Sequence, residues 1–212
     1  MDLDSMRREY SSGPLLLEDM ADSPFDQFQK WMQEAVRAEV QDPTAMCLAT
    51  VGQDGNPSQR TVLLKQFDTS GFVFFTNLES RKAEEIANNS AVCLHFAWLE
   101  LNRQVTIEGD AKKLGIPAVL KYFVSRPRES QLAAWASAQS RKLETRAVLE
   151  NEFMRLQKKY TEGEIPLPSF WGGFKVEPGQ WEFWQGADYR LHDRFQYSPE
   201  ANEGWTIGRL AP

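Results

Sequence analysis

The stretch FWQGADYRLHDRF, residues 183–195, sets Arg190, His192 and Arg194 at alternate positions shortly after Trp184. In an extended strand successive side chains point to opposite faces, so these three would share one face while Leu191, Asp193 and Phe195 take the other. Basic groups so placed repel one another unless something anionic or electron-rich lies against them. A ligand-facing strand meets that need, with Trp184 as a flat apolar wall. A surface ladder neutralised by carboxylates of a neighbouring strand meets it too.

Other segments offer the same chemistry. TNLESRKAEEIANN places Ser80, Arg81 and Lys82 at the start of a helix that follows a strand, where free N–H groups and the helix dipole favour an anion; a solvated helix start would read the same. SQRTVLLKQF carries Arg60 and Lys65, which strict alternation sends to opposite faces, so both reach one ligand only through a bulge or by flanking a rim. Edge charges that discourage aggregation give the same pattern. In YFVSRPRES, Tyr122 and Arg126 lie one helical turn apart, Pro127 opens the next helix and Ser130 falls in its first turns, so two hydroxyls and a guanidinium can converge on a phosphate. Gln104 sits in a strand pattern, where an amide must find hydrogen bonds if buried, and Gln139 and Ser140 follow a helix.

The elements that must position these groups are legible as periodicity. Residues 1–24 read as a polar arm, mobile unless docked, and residues 25–40 as an amphipathic helix with Phe25, Phe28, Trp31, Met32 and Ala35 on one side. From Met46 to Leu114, strand patterns alternate with tight turns and one short helix. Residues 116–162 turn helical, ending in one long charged helix pattern. The tail returns to strands in SFWGGFKVEP, QWEFWQG, YRLHDRFQY and GWTIGRL. Strands flank a helical insertion with no linker between them, so one domain over 25–212 is expected, its late strands completing the early sheet: a β-rich α+β fold with an antiparallel sheet or barrel.

Composition sets limits. The 212 residues suffice for a sizeable core, and 42% hydrophobic with 25% charged residues is an ordinary globular balance. A formal charge of -6 argues against a general nucleic-acid or anionic-membrane binder, and arginines in short clusters point to small anions instead. Cys47 and Cys93 sit in apolar strand-like runs and read as reduced core residues, without metal spacing. No signal peptide or membrane-spanning run is visible, so a cytoplasmic protein is expected.

Taken in order, RREY, DPTAM, RTVLLK, FFTN, ESRK, NRQV, KYFVSRPRES, PLPSFWGGF, EFWQG, RLHDRF and the final RLAP resemble the pyridoxine/pyridoxamine 5'-phosphate oxidase family, flavin enzymes that make pyridoxal 5'-phosphate. The resemblance spans nearly the whole chain. It implies a split β-barrel homodimer with two FMN molecules in clefts between subunits, acting on phosphorylated B6 vitamers with O2 as acceptor. It assigns FMN contacts to Arg60, Lys65, Phe75, Thr76, Arg81 and Lys82, together with Gln104, Gln139, Ser140, Trp184 and Arg194. Substrate contacts fall to Lys65, Tyr122, Arg126, Ser130, Arg190 and His192, the last two being the catalytic pair, with Arg7 and Tyr10 as a lid. Ala133 stands where the family usually has glycine, and the turn Gln185–Tyr189 differs from common forms.

Overall fold

The computed structural model of the chain describes residues 1, 3, 5, 9, 10, 12–201 and 204–212. Ser23 starts the first helix, α1 (Pro24–Arg37), by accepting the Phe25 N–H on its side chain, and Pro24 takes the first turn, where a missing N–H costs nothing. Phe28, Trp31, Met32 and Ala35 are buried at helical spacing. The Phe28 ring lies 5.0 Å from those of Phe67, Phe72 and Phe96, so α1 fills the inner face of the sheet.

That sheet is antiparallel throughout. It runs through β1 (Ala45–Val51), β2 (Pro57–Leu63), β3 (Gln66–Asp68), β4 (Gly71–Asn77), β5 (Ala91–Trp98), β6 (Arg103–Lys113) and β7 (Trp171–Gln185) in the order β2-β1-β5-β6-β7-β4-β3. Then β8 (Asp193–Pro199) pairs with β7, and β9 (Trp205–Leu210) with β8. The late strands do complete the early sheet, for β7 inserts between β6 and β4.

SFWGGFKVEP and QWEFWQG, which read as two strands, form the single 15-residue β7. The register with β6 slips between Glu108 and Gly109, leaving Gly179 as an extra residue. Before the slip the core takes even positions, Phe174 and Val176; after it the core takes odd ones, Trp181 and Phe183. The broken alternation looks like two strands because the bulge changes which parity faces inward.

The α2 helix (Arg81–Asn88) follows β4 directly, while α3 (Ile116–Ser125), α4 (Arg128–Ala136) and α5 (Arg146–Lys159) form the insertion. Val119, Phe123, Leu132, Leu156, Ile165 and Trp171 make a second, smaller core beneath these three helices. The charged run expected as one long helix becomes helical only at Arg146.

Two readings are corrected here. YRLHDRFQY is not one strand: Asp188–Arg190 forms a short 3-10 turn, Tyr189 and Arg190 take left-handed φ of 56° and 62°, and β8 starts at Asp193. Alternation therefore does not place Arg190, His192 and Arg194 on a common strand face. Cys47 and Cys93 are free thiols as expected, but they are only half-buried, because they occupy the outward-facing positions of β1 and β5.

The polar arm is docked along its second half. The Leu15 N–H donates to Asp193 Oδ2 at 2.8 Å, Gln185 Nε2 to Gly13 O at 2.9 Å, and Arg209 Nη2 to Leu15 O at 2.9 Å. Leu15 and Met20 join the main core.

Candidate active site

A cavity of 770 Å³, within the usual range for a small-molecule site, opens between the end of β2, β4, α2 and the α3–α4 junction. Among the described residues its lining includes the cations Arg60, Lys65, Lys82 and Arg126 and no Asp or Glu. In a chain with more acids than bases, that segregation marks an anion site.

The backbone explains how Arg60 and Lys65 meet. The ladder from β2 to β1 ends with the Leu64 N–H donating to Thr44 O, and the next N–H, that of Lys65, donates to Val73 O on β4, each at 2.9 Å. The chain changes partners between adjacent residues, so strict alternation no longer applies and both side chains line one cavity.

Lys82, in the first turn of α2, is 8% exposed. Its Nζ donates to Gln139 Oε1 at 2.6 Å, Thr76 Oγ1 at 3.1 Å and Ser80 Oγ at 3.2 Å, three neutral oxygens. Burial, with Arg60 nearby, pushes its pKa from 10.5 down to about 8. Gln139 and Ser140 come from the segment after α4: Ser140, at a left-handed φ of 69°, accepts the Arg81 N–H at 3.3 Å.

The acid that organises this corner is Glu85, one turn into α2. It accepts from Arg60 Nη2 at 3.2 Å, from Arg81 Nε at 2.7 Å and from the Ser58 hydroxyl at 2.6 Å. Burial alone would raise its carboxyl, but bonds from Ser58, Thr50, Arg81 and Arg60 outweigh it and hold the pKa at about 2. Sequence reading missed Glu85, although its i,i+4 spacing from Arg81 was visible.

On the opposite wall Tyr122, near the end of α3, stacks on Phe75 of β4 with ring centroids 3.9 Å apart, and Phe75 stacks on Trp171 at 5.4 Å. Arg126, at the α3–α4 junction, lies over the Trp171 ring at 4.9 Å. Its Nη1 is buried without a hydrogen-bond partner among the described residues, and burial lowers the guanidinium pKa from its ordinary value. Ser130, in the first turns of α4, lines the same space. Trp171, unremarked in the sequence, is the floor that holds this guanidinium.

The remaining assigned residues gather elsewhere. Trp184 near the end of β7 pairs in register with Gln104 on β6 and Arg194 on β8. The His192 ring lies 4.7 Å from that of Trp184 and 5.2 Å from that of Tyr10. His192 Nδ1 accepts the Ala187 N–H at 3.2 Å, so the neutral ring carries its proton on Nε2. Tyr10 rests against Gly186, where a Cβ would come within 2.4 Å of its ring. Arg190 is exposed on its left-handed turn, and Arg7 lies outside the described residues. Along β7, Trp184 is eleven residues beyond Gly173, the partner of Phe75, which is on the order of 35 Å of strand.

The family profile described as Pyridoxamine 5'-phosphate oxidase matches residues 32–160, and that of the Pyridoxine 5'-phosphate oxidase C-terminal dimerisation region matches residues 171–212. The chain belongs to the pyridoxine/pyridoxamine 5'-phosphate oxidase family. A relative of that name from Shewanella sp. (strain MR-4) is 56% identical over 211 residues, covering 100% of this chain and 99% of its own. The namesake from Shewanella oneidensis is also 56% identical with the same coverage. Among solved structures, PhzG from Burkholderia lata 383, in complex with tetrahydrophenazine-1-carboxylic acid, superposes with a TM-score of 0.87 at 29% identity, covering 94% of this chain and 98% of its own. An FMN-binding protein from Nostoc punctiforme PCC 73102, related to pyridoxamine 5'-phosphate oxidase, shares the fold at a TM-score of 0.71 and 18% identity. The sheet is thus the split β-barrel of this oxidase family. Apart from Trp171, the side chains discussed around the cavity fall in the first profile or at its edge, while Trp184, Arg190, His192 and Arg194 fall in the dimerisation region.

Proposed function

We propose that this chain oxidises pyridoxamine 5'-phosphate and pyridoxine 5'-phosphate to pyridoxal 5'-phosphate, with FMN bound between two copies of the chain and O2 as the final acceptor. The observation that carries this reading is the division of the assigned residues into two clusters at opposite ends of β7, one around a cation-lined cavity and one within the dimerisation region. A second copy that sets its Trp184 cluster against the first copy's cavity completes each site, and an isologous pair does so twice.

The residues fit two phosphorylated ligands. Among the described residues Lys82 is a buried cation bonded only to neutral oxygens, and Arg126 has a buried donor with no acceptor; each is a site that an anionic oxygen would satisfy. Arg60, Arg81, Lys82, Thr76, Gln139 and Ser140 would hold FMN, with Phe75, Lys65, and the other copy's Gln104, Trp184 and Arg194 completing its surround. Lys65, Tyr122, Arg126 and Ser130 would hold the substrate phosphate. Anchoring that remote group fixes the reacting carbon and spends no charge at the reaction centre.

When bound, FMN supplies the acceptor for the hydride equivalent leaving the carbon attached to the pyridine ring, and O2 then carries the electrons away as hydrogen peroxide. The amine substrate also releases ammonia. Arg190 and His192 cover the substrate ring, with His192 Nε2 as the atom that orients it or exchanges a proton, since Nδ1 is held by the Ala187 N–H. Tyr10 would close over the site from the arm. Adding pyridoxamine 5'-phosphate to the flavin-loaded protein in air should yield aldehyde and peroxide in equal amounts. A loaded protein that forms neither would overturn the reading.

A further inference from the structure

We infer that Glu182 is a positioning residue for the flavin site, acting through Arg194 together with the backbone carbonyl of Ala211; the inference rests on the proposed placement of Arg194 against the flavin. Glu182 and Trp184 are two residues apart on β7 and point to the same side, and Arg194 is the register partner of Trp184 on β8. Arg194 Nε donates to Glu182 Oε1 at 2.8 Å and its Nη2 to Glu182 Oε2 at 2.9 Å, a two-toothed fork. Its Nη1 donates to Ala211 O at 2.7 Å.

Of the five N–H donors on a guanidinium, three are used and two are left without a partner among the described residues. An arginine at a half-exposed sheet position would otherwise sample many rotamers, and binding a ligand would have to freeze them. Here the side chain is held by Glu182 and by the Ala211 carbonyl before any ligand arrives, with donors to spare. The arrangement has an electrostatic cost, because a carboxylate in the fork reduces the positive charge that an anionic partner would feel. The two roles give opposite signs on mutation, which makes the proposal testable.

The experiment titrates flavin-free dimer with FMN and follows the quenching of flavin fluorescence, using Glu182→Gln, Arg194→Leu and the double variant, with dimer mass and Tm recorded for each. Positioning predicts that Glu182→Gln, which keeps size but loses the ionic fork, weakens FMN binding about tenfold and lowers kcat more than it alters KM. It also predicts that the double variant binds no worse than Arg194→Leu alone. Tighter binding by Glu182→Gln, or independent losses that multiply in the double variant, would overturn the proposal. If Arg194→Leu itself leaves FMN affinity unchanged, the placement of Arg194 fails instead. If Glu182→Gln alters dimer mass, Glu182→Asp, which retains a carboxylate, must recover part of the affinity at normal mass; no recovery counts against positioning.

Discussion

In the proposed role Lys82 binds phosphate at the expense of the stability of its own chain. With its pKa pushed down to about 8 from 10.5, the folded chain below pH 8 carries the cost of a buried cation. Between the two values the unfolded chain binds the extra proton, so stability attributable to Lys82 rises with pH across that window. Lys82→Met should therefore raise the Tm of the flavin-free protein, by up to roughly 3 kcal/mol of stability, while weakening FMN binding by an order of magnitude or more. In the native protein, phosphate affinity should fall as pH climbs through 8, measured by titration on either side of that value. Glu85 has the opposite sense. Its carboxyl, held at about 2 against an ordinary 4.5, contributes stability that is complete above the ordinary value and is lost as pH falls towards 2. Glu85→Gln should cost about 3 kcal/mol in chemical denaturation, since it strands Arg60 and the Ser58 and Thr50 hydroxyls. Arg126→Leu should raise KM for pyridoxamine 5'-phosphate about tenfold or more with a smaller change in kcat, and steady-state kinetics would show the split.

At the scale of elements, the turn between β7 and β8 does the most specialised work. Gly186 leaves room for the Tyr10 ring, and the left-handed Tyr189 and Arg190 swing the chain so that His192 folds back onto Trp184. Gly186→Ala should displace Tyr10 and raise KM severalfold with FMN content unchanged, checked by the absorbance of bound flavin. This turn was also where the sequence misled. Arg190, His192 and Arg194 follow a period of two, but the period was an accident of a 3-10 turn followed by a strand that begins at Asp193. Residue types offered Arg60, Lys82 and Arg126 as candidate anion binders beside plainer readings as surface charges, and helix spacing found α1 and the α3–α4 junction. Their convergence was not legible, because it depends on the partner change at Leu64–Lys65 and on β7 entering between β6 and β4. Neither is encoded in the local pattern of residue types.

At the scale of the whole molecule, the proposed function requires a second copy to bring the two clusters together. If each active site takes its cavity from one copy and His192 from the other, mixing Arg126→Leu with His192→Ala protein after subunit exchange should restore roughly a quarter of native activity, measured at substrate well below the KM of the Arg126→Leu parent, since half the dimers are mixed and each has one intact site. Sites contained within single copies would give no recovery above the two parents. Such complementation would test the assembly independently of any single mutant's activity. The bulge at Gly179 bears on the same assembly. It lies between the stretch of β7 that carries Gly173 under Phe75 and the stretch that carries Trp184, and it sets the phase of one relative to the other. Removing that one residue would turn Trp181 and Phe183 out to solvent and Glu182 and Trp184 into the interior. In this strand length is more tightly constrained than identity: a point substitution alters one side chain, whereas a single-codon deletion inverts half a strand and turns the Trp184 cluster over relative to the cavity.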